Sequence, residues 1–291
     1  MDCICIYLAG LSVRIYNTNQ EHYIFPDLLK NFSRYAADSQ AGIFYLKDQE
    51  KLNLRVREEK NFMVDRDCQP LYRSDTWEIW KEPAGKYVFS VPNQKPVRHA
   101  VISADFSDGD VIIDPSTVKT PLYYPLEHLD IRIISAWLGT KGDLMLHASG
   151  VVMDGLGYCF IGESTAGKST LVSNFANDPA ITVLGEDQVI LRYLDEKFWI
   201  FGTPWHTNPV LCSPLGAPLQ KMFFLNRALP PGVESIKPAE GVTRVLQTAF
   251  VPYYLPEYLP GILDRLNLLA ERVPFYSLSY RLGTDPIPLI R

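Results

Sequence analysis

A glycine-rich segment with residue types suited to binding phosphate lies in the middle of the chain, at residues 162–170. Its pattern is Gly, four residues, then Gly-Lys-Ser, which is the phosphate-loop pattern. Glycines let backbone N–H groups turn inward around phosphate oxygens, Lys168 supplies a positive charge, and the Ser169 hydroxyl is an oxygen ligand for Mg²⁺. We therefore expect phosphates to be bound by Gly162, Glu163, Ser164, Thr165, Ala166, Gly167, Lys168, Ser169 and Thr170.

The residues on either side of this segment predict a strand before it and a helix after it. The apolar run 157–161 is of the strand type, and apolar residues recur at helical spacing through residues 171–176. Asn177, Asp178 and Pro179 then predict the end of the helix. Strand, glycine loop and helix are the context that the motif requires, and the helix adds the positive end of its dipole.

Two acidic residues, Glu186 and Asp187, follow the next strand-like run at residues 181–184. Acidic residues at the end of the strand after a phosphate-loop helix suit a Mg-nucleotide site. One carboxylate can bind the ion, and the other can accept the proton of an attacking hydroxyl, because its ordinary pKa keeps it ionised at neutral pH. We expect Mg²⁺ to be held by Ser169, Glu186 and Asp187, in a nucleotide-binding site.

A histidine precedes the phosphate loop on the apolar run 144–153, which is followed by the hairpin-turn signal Asp154-Gly155. The predicted hairpin pairs this run antiparallel with the strand that enters the loop, whereas most phosphate-loop enzymes use a parallel unit. It would place His147 beside the end of that second strand. A histidine in an apolar strand is either a packed core residue or a functional group, and both interpretations stay open here.

A further hairpin is predicted from runs 188–194 and 198–201, and it leads into a loop rich in functional side chains. The loop gathers a hydroxyl, an indole and an imidazole at a strand end, where sites of α/β proteins assemble. A proline-stiffened turn around a packed tryptophan is the alternative. The candidates for the acceptor side of the site are Thr203, Trp205 and His206.

Composition and charge narrow the classes of partner and compartment. The net charge is -5 and no basic cluster occurs, which disfavours nucleic acid and anionic membranes as partners. No apolar run reaches the ~18 residues of a membrane span, and the first ten residues lack the basic start of a signal peptide. The 5 cysteines include no Cys-x-x-Cys pair, which favours reduced thiols. We expect a soluble, cytoplasmic protein.

The length of 291 residues predicts one large or two medium domains. Residues 1–120 read as a β-rich accessory or recognition domain, with a hairpin about Ala9 and Gly10, a turn at residues 107–110 and a short helix over residues 25–35. Residues 121–291 read as the phosphate-loop domain. The expected fold class is α/β, of the α+β type: a mixed sheet with a β-hairpin before the loop, and a β-rich α+β domain before it. Other predicted elements are a helix over 126–138, a strand over 221–226, helices over 238–250 and 260–272, and a strand over 275–280.

With the hairpin, the loop and the acidic strand end considered together, residues 147–187 resemble the catalytic domain of HPr kinase/phosphorylase. That bacterial family phosphorylates a serine of the carrier protein HPr, and its broader relatives include kinases that modify other peptides. The resemblance implies that His147 and Asp187 are catalytic, with Asp187 as the base that takes the serine proton. It implies that Lys168 lies on the phosphates of ATP and that Glu186 supports Mg²⁺. Since the family forms hexamers, a homo-oligomer is also an expectation.

The chain departs from this family after the next hairpin. The family carries a Glu-x-Arg-Gly-x-Gly signature there, which serves the reverse, dephosphorylating reaction, whereas residues 201–206 contain no carboxylate. HPr is therefore not implied as the acceptor. The expected function is a Mg-ATP-dependent kinase acting on a hydroxyl of a peptide, a protein or a small molecule, with a serine favoured. A non-catalytic ATP-binding regulatory module is the alternative. A transport ATPase and a GTPase are disfavoured, because Leu-Ser-Gly-Gly-Gln and Asn-Lys-x-Asp motifs are absent.

Overall fold

The computed structural model describes residues 3–17, 35, 50–117, 125–163, 167–205, 211–226, 230–280 and 286–290. By their contacts these residues divide into two compact units. The first contains the described residues up to Trp137 together with Tyr253–Pro256, and the second contains Leu138–Pro252 and the described residues from Glu257 onward. The division falls later than the boundary at residue 120 that the sequence predicts, because most of the helix at Asp130–Gly139 belongs to the first unit.

Within the described residues, the first unit is built on an eight-stranded sheet with the order β1-β2-β3-β8-β7-β6-β5-β4. Strand β3 is parallel to both of its neighbours, β2 and β8, and the other neighbouring pairs are antiparallel. The strands are β1 (Cys3–Leu8), β2 (Leu11–Asn17), β3 (Glu50–Glu58), β4 (Gln69–Arg73), β5 (Glu78–Lys81), β6 (Tyr87–Val91), β7 (Arg98–Ile102) and β8 (Asp108–Ile113), followed by a 3-10 turn at Pro115–Thr117.

Of two turns that the sequence predicts in this unit, one is confirmed and the other is wrong. The hairpin between β1 and β2 is confirmed, with Ala9 at φ 52° and Gly10 at φ 79°. The turn predicted at residues 107–110 is wrong, since Asp108–Ile113 is strand β8. The chain turns earlier, where the Ser103 hydroxyl accepts the backbone N–H of Ser107 at 3.1 Å. The helix predicted over residues 25–35 lies outside the described residues, apart from Tyr35.

The second unit contains, within the described residues, a nine-stranded mixed sheet with the order β12-β10-β11-β15-β14-β13-β9. Strand β17 pairs with β15, and β16 pairs with β17. Strands β11, β15 and β17 are parallel to one another. The strands are β9 (Leu144–Leu146), β10 (Ser149–Met153), β11 (Leu156–Ile161), β12 (Ile181–Gly185), β13 (Val189–Leu194), β14 (Lys197–Gly202), β15 (Gly216–Asn226), β16 (Gly232–Ser235) and β17 (Phe275–Ser279).

The helices of the described residues are α1 (Asp130–Gly139), α2 (Lys168–Ala176), α3 (Pro238–Thr248), α4 (Leu259–Arg272) and α5 (Ile287–Ile290), with a 3-10 turn at Pro256–Tyr258. The first four lie close to helices that the sequence predicts, whereas α5 was not predicted. No helix within the described ranges is both long and apolar enough to cross a membrane. The predicted fold class is confirmed, since the described residues form a mixed α/β structure with two sheets and few helices.

The strand that enters the phosphate loop is buried on both faces. Cys159 and Ile161 of β11 face one apolar core, which is shared with β9, β13, β14, α3 and α4. Phe160 faces the opposite core, where its ring lies 5.4 Å from that of Phe175 on α2. An element buried on both sides has little freedom to shift, so the loop at its end has a fixed starting point.

The hairpin predicted before the loop is confirmed, with Asp154 at φ 54° and Gly155 at φ 76° in the turn between β10 and β11. The run at residues 144–153 is not one continuous strand, however. It is interrupted at His147 and Ala148, because β9 pairs with β13 whereas β10 pairs with β11 and β12.

Candidate functional site

The phosphate-loop segment has the backbone that the motif requires at its helical end. Gly167 is the N-cap residue of α2 with φ 96° and ψ 17°, a left-handed conformation that favours glycine. Because glycine has no side chain, the N-cap leaves the N–H groups of the first turn open to an anion. Ser169 and Thr170 are exposed on that turn, and Glu163 is exposed before it. Ser164, Thr165 and Ala166 lie outside the described residues.

Lys168 is a buried cation held by the loop itself. Its side chain is 6% exposed, and its ammonium donates to the backbone carbonyls of Gly162 and, at 3.2 Å, Glu163. Burial lowers the pKa of Lys168, and the negative charge of Asp187 raises it. This opposing effect means that Asp187 lies close enough to Lys168 to interact with it electrostatically. The sheet agrees with this, since Gly150 of β10 lies opposite both Cys159 of β11 and Gly185 of β12, so the loop and the acidic turn leave the same edge.

His147 and Asp187 both lie at the break between two antiparallel ladder segments. Val189 lies opposite Leu146, and Gly185 lies opposite Gly150, so the two ladder segments share the same register. Continued across the interruption, that register places His147 level with Gln188, and Ala148 level with Asp187. The two predicted catalytic residues therefore belong to a single break in one long ladder.

Two buried hydroxyls hold the turn that carries the acidic pair. Ser149 is fully buried and donates to the backbone carbonyl of Glu186 at 2.6 Å. Thr203 is also fully buried and donates to the carbonyl of Gln188 at 2.9 Å. Asp187 lies between these two anchored carbonyls, so its backbone position is fixed from both sides.

The three acceptor-side candidates differ in where they lie. The hydroxyl of Thr203 is buried and donates to the Gln188 carbonyl, so it holds the turn. Trp205 is half-buried, two residues farther along the same loop. His206 lies outside the described residues.

Gly202 lets this loop approach the acidic strand end. A Cβ atom at Gly202 would lie 2.0 Å from the carbonyl oxygen of Ser213 and 2.3 Å from that of Leu184. The backbone of Ser213 in turn donates to the Leu184 carbonyl at 3.1 Å. The end of β12 is therefore packed against backbone on this side, and only glycine fits.

His147 occupies the interruption between β9 and β10 and is half-buried. Its backbone N–H donates to the carbonyl of Thr248, the last residue of α3, at 2.8 Å. An isolated bridge between Leu146 and Ala249 continues this contact. Sequence reasoning missed both Ser149 and the end of α3 as parts of the site, since neither carries a motif.

The oxygen-rich donor set fits a hard cation such as Mg²⁺. Among the described residues no group of three or more His, Cys, Asp or Glu side chains could hold a metal. A Mg²⁺ ion in a nucleotide site needs only one or two carboxylates, because phosphates and water supply its other ligands. Ser169 is exposed beside the loop, the Glu186 side chain is 7% exposed, and Asp187 is half-buried. These oxygens suit the ion that the sequence predicts.

Comparisons with known proteins add only a distant likeness. No protein-family model and no curated protein sequence matches the chain. Among solved structures, the chain is similar to the Hpr(Ser) kinase/phosphatase from Coxiella burnetii, with 15% identity and a TM-score of 0.30. The aligned part covers 50% of this chain and 85% of that chain. A TM-score this low does not establish a shared fold.

Proposed function

We propose that the second unit is a Mg-ATP-dependent phosphotransferase that moves the terminal phosphoryl group of ATP to a hydroxyl. The expected acceptor is a serine of a peptide or protein. The observation that carries this proposal is that Gly150 of β10 lies opposite both Cys159 of β11 and Gly185 of β12, so the phosphate loop and the acidic turn leave the same edge of the sheet. It joins a phosphate-binding cation and a candidate base in one site, which is the arrangement that phosphoryl transfer needs.

The chain's own groups supply the phosphate-binding half of the site. The N–H groups at the start of α2 point along the helix axis and favour an anion. The Lys168 ammonium already bridges the carbonyls of Gly162 and Glu163, which sets its position at the loop. Because Lys168 is buried, its charge acts on a bound phosphate with less screening by water.

The acidic turn supplies the other half. The Asp187 carboxylate accepts the proton of the acceptor hydroxyl while that oxygen bonds to the terminal phosphorus and ADP leaves with the electrons of the broken P–O bond. Bound Mg²⁺ would neutralise phosphate charge, with oxygens from Ser169, Glu186 and Asp187 as the residues to hold it. His147, at the same break in the ladder, orients the acceptor.

The test uses the full chain, Mg²⁺ and γ-labelled ATP, with water and a library of serine-containing peptides as acceptors. We expect Asp187→Asn to lower label release and transfer about 10²- to 10⁴-fold, the usual contribution of a general base. ATP affinity, measured by calorimetry, should be retained. Asp195→Asn is the matched control, since it makes the same chemical change in an exposed turn at the other end of β13 and should leave the rate unchanged.

The outcomes separate the candidate functions. An Asp187→Asn variant that turns over ATP at the wild-type rate would show that Asp187 is not the base. A wild-type chain that binds Mg-ATP without any turnover would indicate a regulatory module. Label transfer to small hydroxyl compounds but to none of the peptides would indicate a small-molecule kinase.

A further inference from the structure

We propose that Tyr280 is a positioning residue for phosphate binding and that it acts through the backbone of Gly167. The Tyr280 hydroxyl donates to the Gly167 carbonyl at 2.8 Å, across a sequence separation of 113 residues. The inference rests on the nucleotide-binding part of the proposed function. It concerns a residue that carries no motif and lies far from the phosphate loop in sequence.

The parallel strands explain how this tyrosine reaches the loop. Phe224 of β15 lies opposite Ile161, the last residue of β11, and Asn226 lies opposite Ser279, the last residue of β17. The carboxyl ends of these three strands therefore meet at one edge of the sheet. Tyr280 is the next residue after β17, so its side chain starts at the same edge as the loop.

The tyrosine ring is anchored independently of its hydroxyl. Tyr280 is 8% exposed and belongs to the apolar core that also contains Leu171, Val172 and Phe175 of α2. A phenylalanine at this position would keep the ring packing. The hydroxyl can thus be removed without removing the element that carries it.

The hydrogen bond fixes one peptide plane of the phosphate loop. The Gly167 carbonyl also accepts the N–H of Leu171 at 2.9 Å, so two donors hold the same oxygen. That carbonyl and the N–H of Lys168 belong to one planar trans unit and point in opposite directions. With the carbonyl held against α2 and Tyr280, the Lys168 N–H is directed away from both, beyond the N-terminal end of α2, where a helix favours an anion.

Tyr280 also strengthens the Lys168 N–H as a donor. A carbonyl that accepts hydrogen bonds polarises its peptide unit, which makes the N–H of that unit a better donor. Gly167 is left-handed and has no side chain to restrain it, so an outside donor reduces the freedom that would be lost on binding. Both effects favour a bound phosphate.

The first experiment measures the affinity of the full chain for Mg-ATP and for tripolyphosphate by calorimetry. We expect Tyr280→Phe to weaken both by about 3- to 10-fold, as for the loss of one hydrogen bond. The matched control is Tyr276→Phe on β17, four residues before Tyr280, whose ring stacks on Phe223 with centroids 5.5 Å apart. Its affinities should equal those of the wild type.

A second measurement separates positioning from mere packing. Fluorotyrosine at position 280 has nearly the same volume as tyrosine but a more acidic hydroxyl, which is a stronger donor. At neutral pH we expect affinity for tripolyphosphate to rise from phenylalanine to tyrosine to fluorotyrosine, with little change in the thermal midpoint between the last two. A purely structural role predicts no such graded response.

The possible results are distinguishable. A wild type that binds ATP with the same affinity as Tyr280→Phe overturns the role of Tyr280 and leaves the proposed function standing. A wild type that binds neither ATP nor tripolyphosphate overturns the proposed function and the role of Tyr280 together.

Discussion

A buried ion pair at the start of β9 joins that strand to β13, and its contribution to stability can be measured. The Asp143 carboxylate accepts from Arg192 Nε at 2.7 Å and from the backbone N–H of Tyr193 at 3.1 Å. The two charged side chains are 4% and 6% exposed. Burial raises the pKa of Asp143, and Arg192 acts in the opposite direction. The pair therefore ties the beginning of β9 to β13, four residues before His147.

Asp143→Asn should be strongly destabilising. It keeps the shape of the side chain and an acceptor for the Tyr193 N–H, but it leaves the charge of Arg192 buried without a counter-ion. Breaking a buried pair in this way costs about 3–5 kcal/mol. For a unit of this size that corresponds to a fall in melting temperature of about 6–20 °C.

The stability of the Arg192→Met variant should depend on pH in a way that the stability of Asp143→Asn does not. This substitution leaves Asp143 buried and unpaired, which raises the folded-state pKa of that carboxyl well above its unfolded value. Such a group favours the folded state below its unfolded pKa, and this stability is lost as pH rises. Burial already raises the folded-state pKa of Asp143 in the wild type, so the difference appears between that pKa and the higher one in the variant. In this window the variant should gain about 1.4 kcal/mol in free energy of unfolding per unit decrease in pH, relative to wild type. Asp143→Asn should show no such gain.

The assay is urea denaturation of the full chain, followed by circular dichroism and tryptophan fluorescence, in the transition that involves the second unit. The double variant Asp143→Asn with Arg192→Met removes both charges and should recover most of the loss. Glu240→Gln is the control, because the exposed Arg244–Glu240 pair on α3 should contribute only about 0.3–0.5 kcal/mol. An Asp143→Asn cost below about 1 kcal/mol, or a double variant no more stable than the singles, would refute the reasoning.

Two further predictions concern acid stability and the acidic strand end. Burial lowers the pKa of His99 to about 4, so the folded chain should lose up to about 3 kcal/mol of stability from this group as pH falls from about 6.5 to about 4. A His99→Phe variant, measured by urea denaturation over that range, should lack this loss of stability. If the free energies of unfolding of the variant and the wild type fell in parallel with pH, the prediction would be refuted. Gly202→Ala should destabilise the chain by several kcal/mol and impair label transfer, because its Cβ would overlap the Leu184 and Ser213 carbonyls. Gly232→Ala, where a Cβ meets nothing within 4 Å, should be tolerated in both assays.

Local signals in the sequence were sufficient to predict the elements around the phosphate loop. Asp154 and Gly155 have the left-handed conformations that an Asp-Gly hairpin turn requires, and Gly167 has the one expected at the helical end of the loop. Each of these features depends on residues within a few positions of one another. The same holds for the hairpin between β13 and β14, where Asp195 and Glu196 form the turn.

Features that depend on distant pairing could not be predicted in the same way. Tyr280 was recognisable as the end of an alternating strand, but its contact with Gly167 requires the parallel pairing of β15 with both β11 and β17. The sequence around Asp143 carries no signal of a buried ion pair, because its partner Arg192 lies 49 residues away. Nothing in the local spacing indicates which of these distant segments become neighbours.

The apolar pattern predicts a strand that runs through His147, whereas the structure interrupts the strand at that residue. An uninterrupted strand over residues 144–153 would pair the His147 backbone with the β12–β13 chain, and the Asp187 turn would become part of a regular ladder. Instead, the His147 N–H donates to Thr248 at the end of α3, while Ser149 donates to Glu186 on the other side of the break. The helix end therefore takes over a backbone donor that the ladder would otherwise use.

This change of hydrogen-bond partner bears on whether His147 is a packed core residue or a functional group, which the sequence left open. A histidine inside a regular two-sided strand would be enclosed by its neighbours, as His99 is on β7, where it is 7% exposed. His147 is half-buried at a break in the sheet, and its backbone N–H bonds to Thr248 instead of to the ladder. Asp187 lies in the turn opposite the same break, where the Ser149 hydroxyl holds the neighbouring Glu186 carbonyl. The break therefore gives His147 an exposure that the regular strand position of His99 lacks, without leaving its buried N–H unpaired, which favours the interpretation of His147 as a functional group over that of a packed core residue.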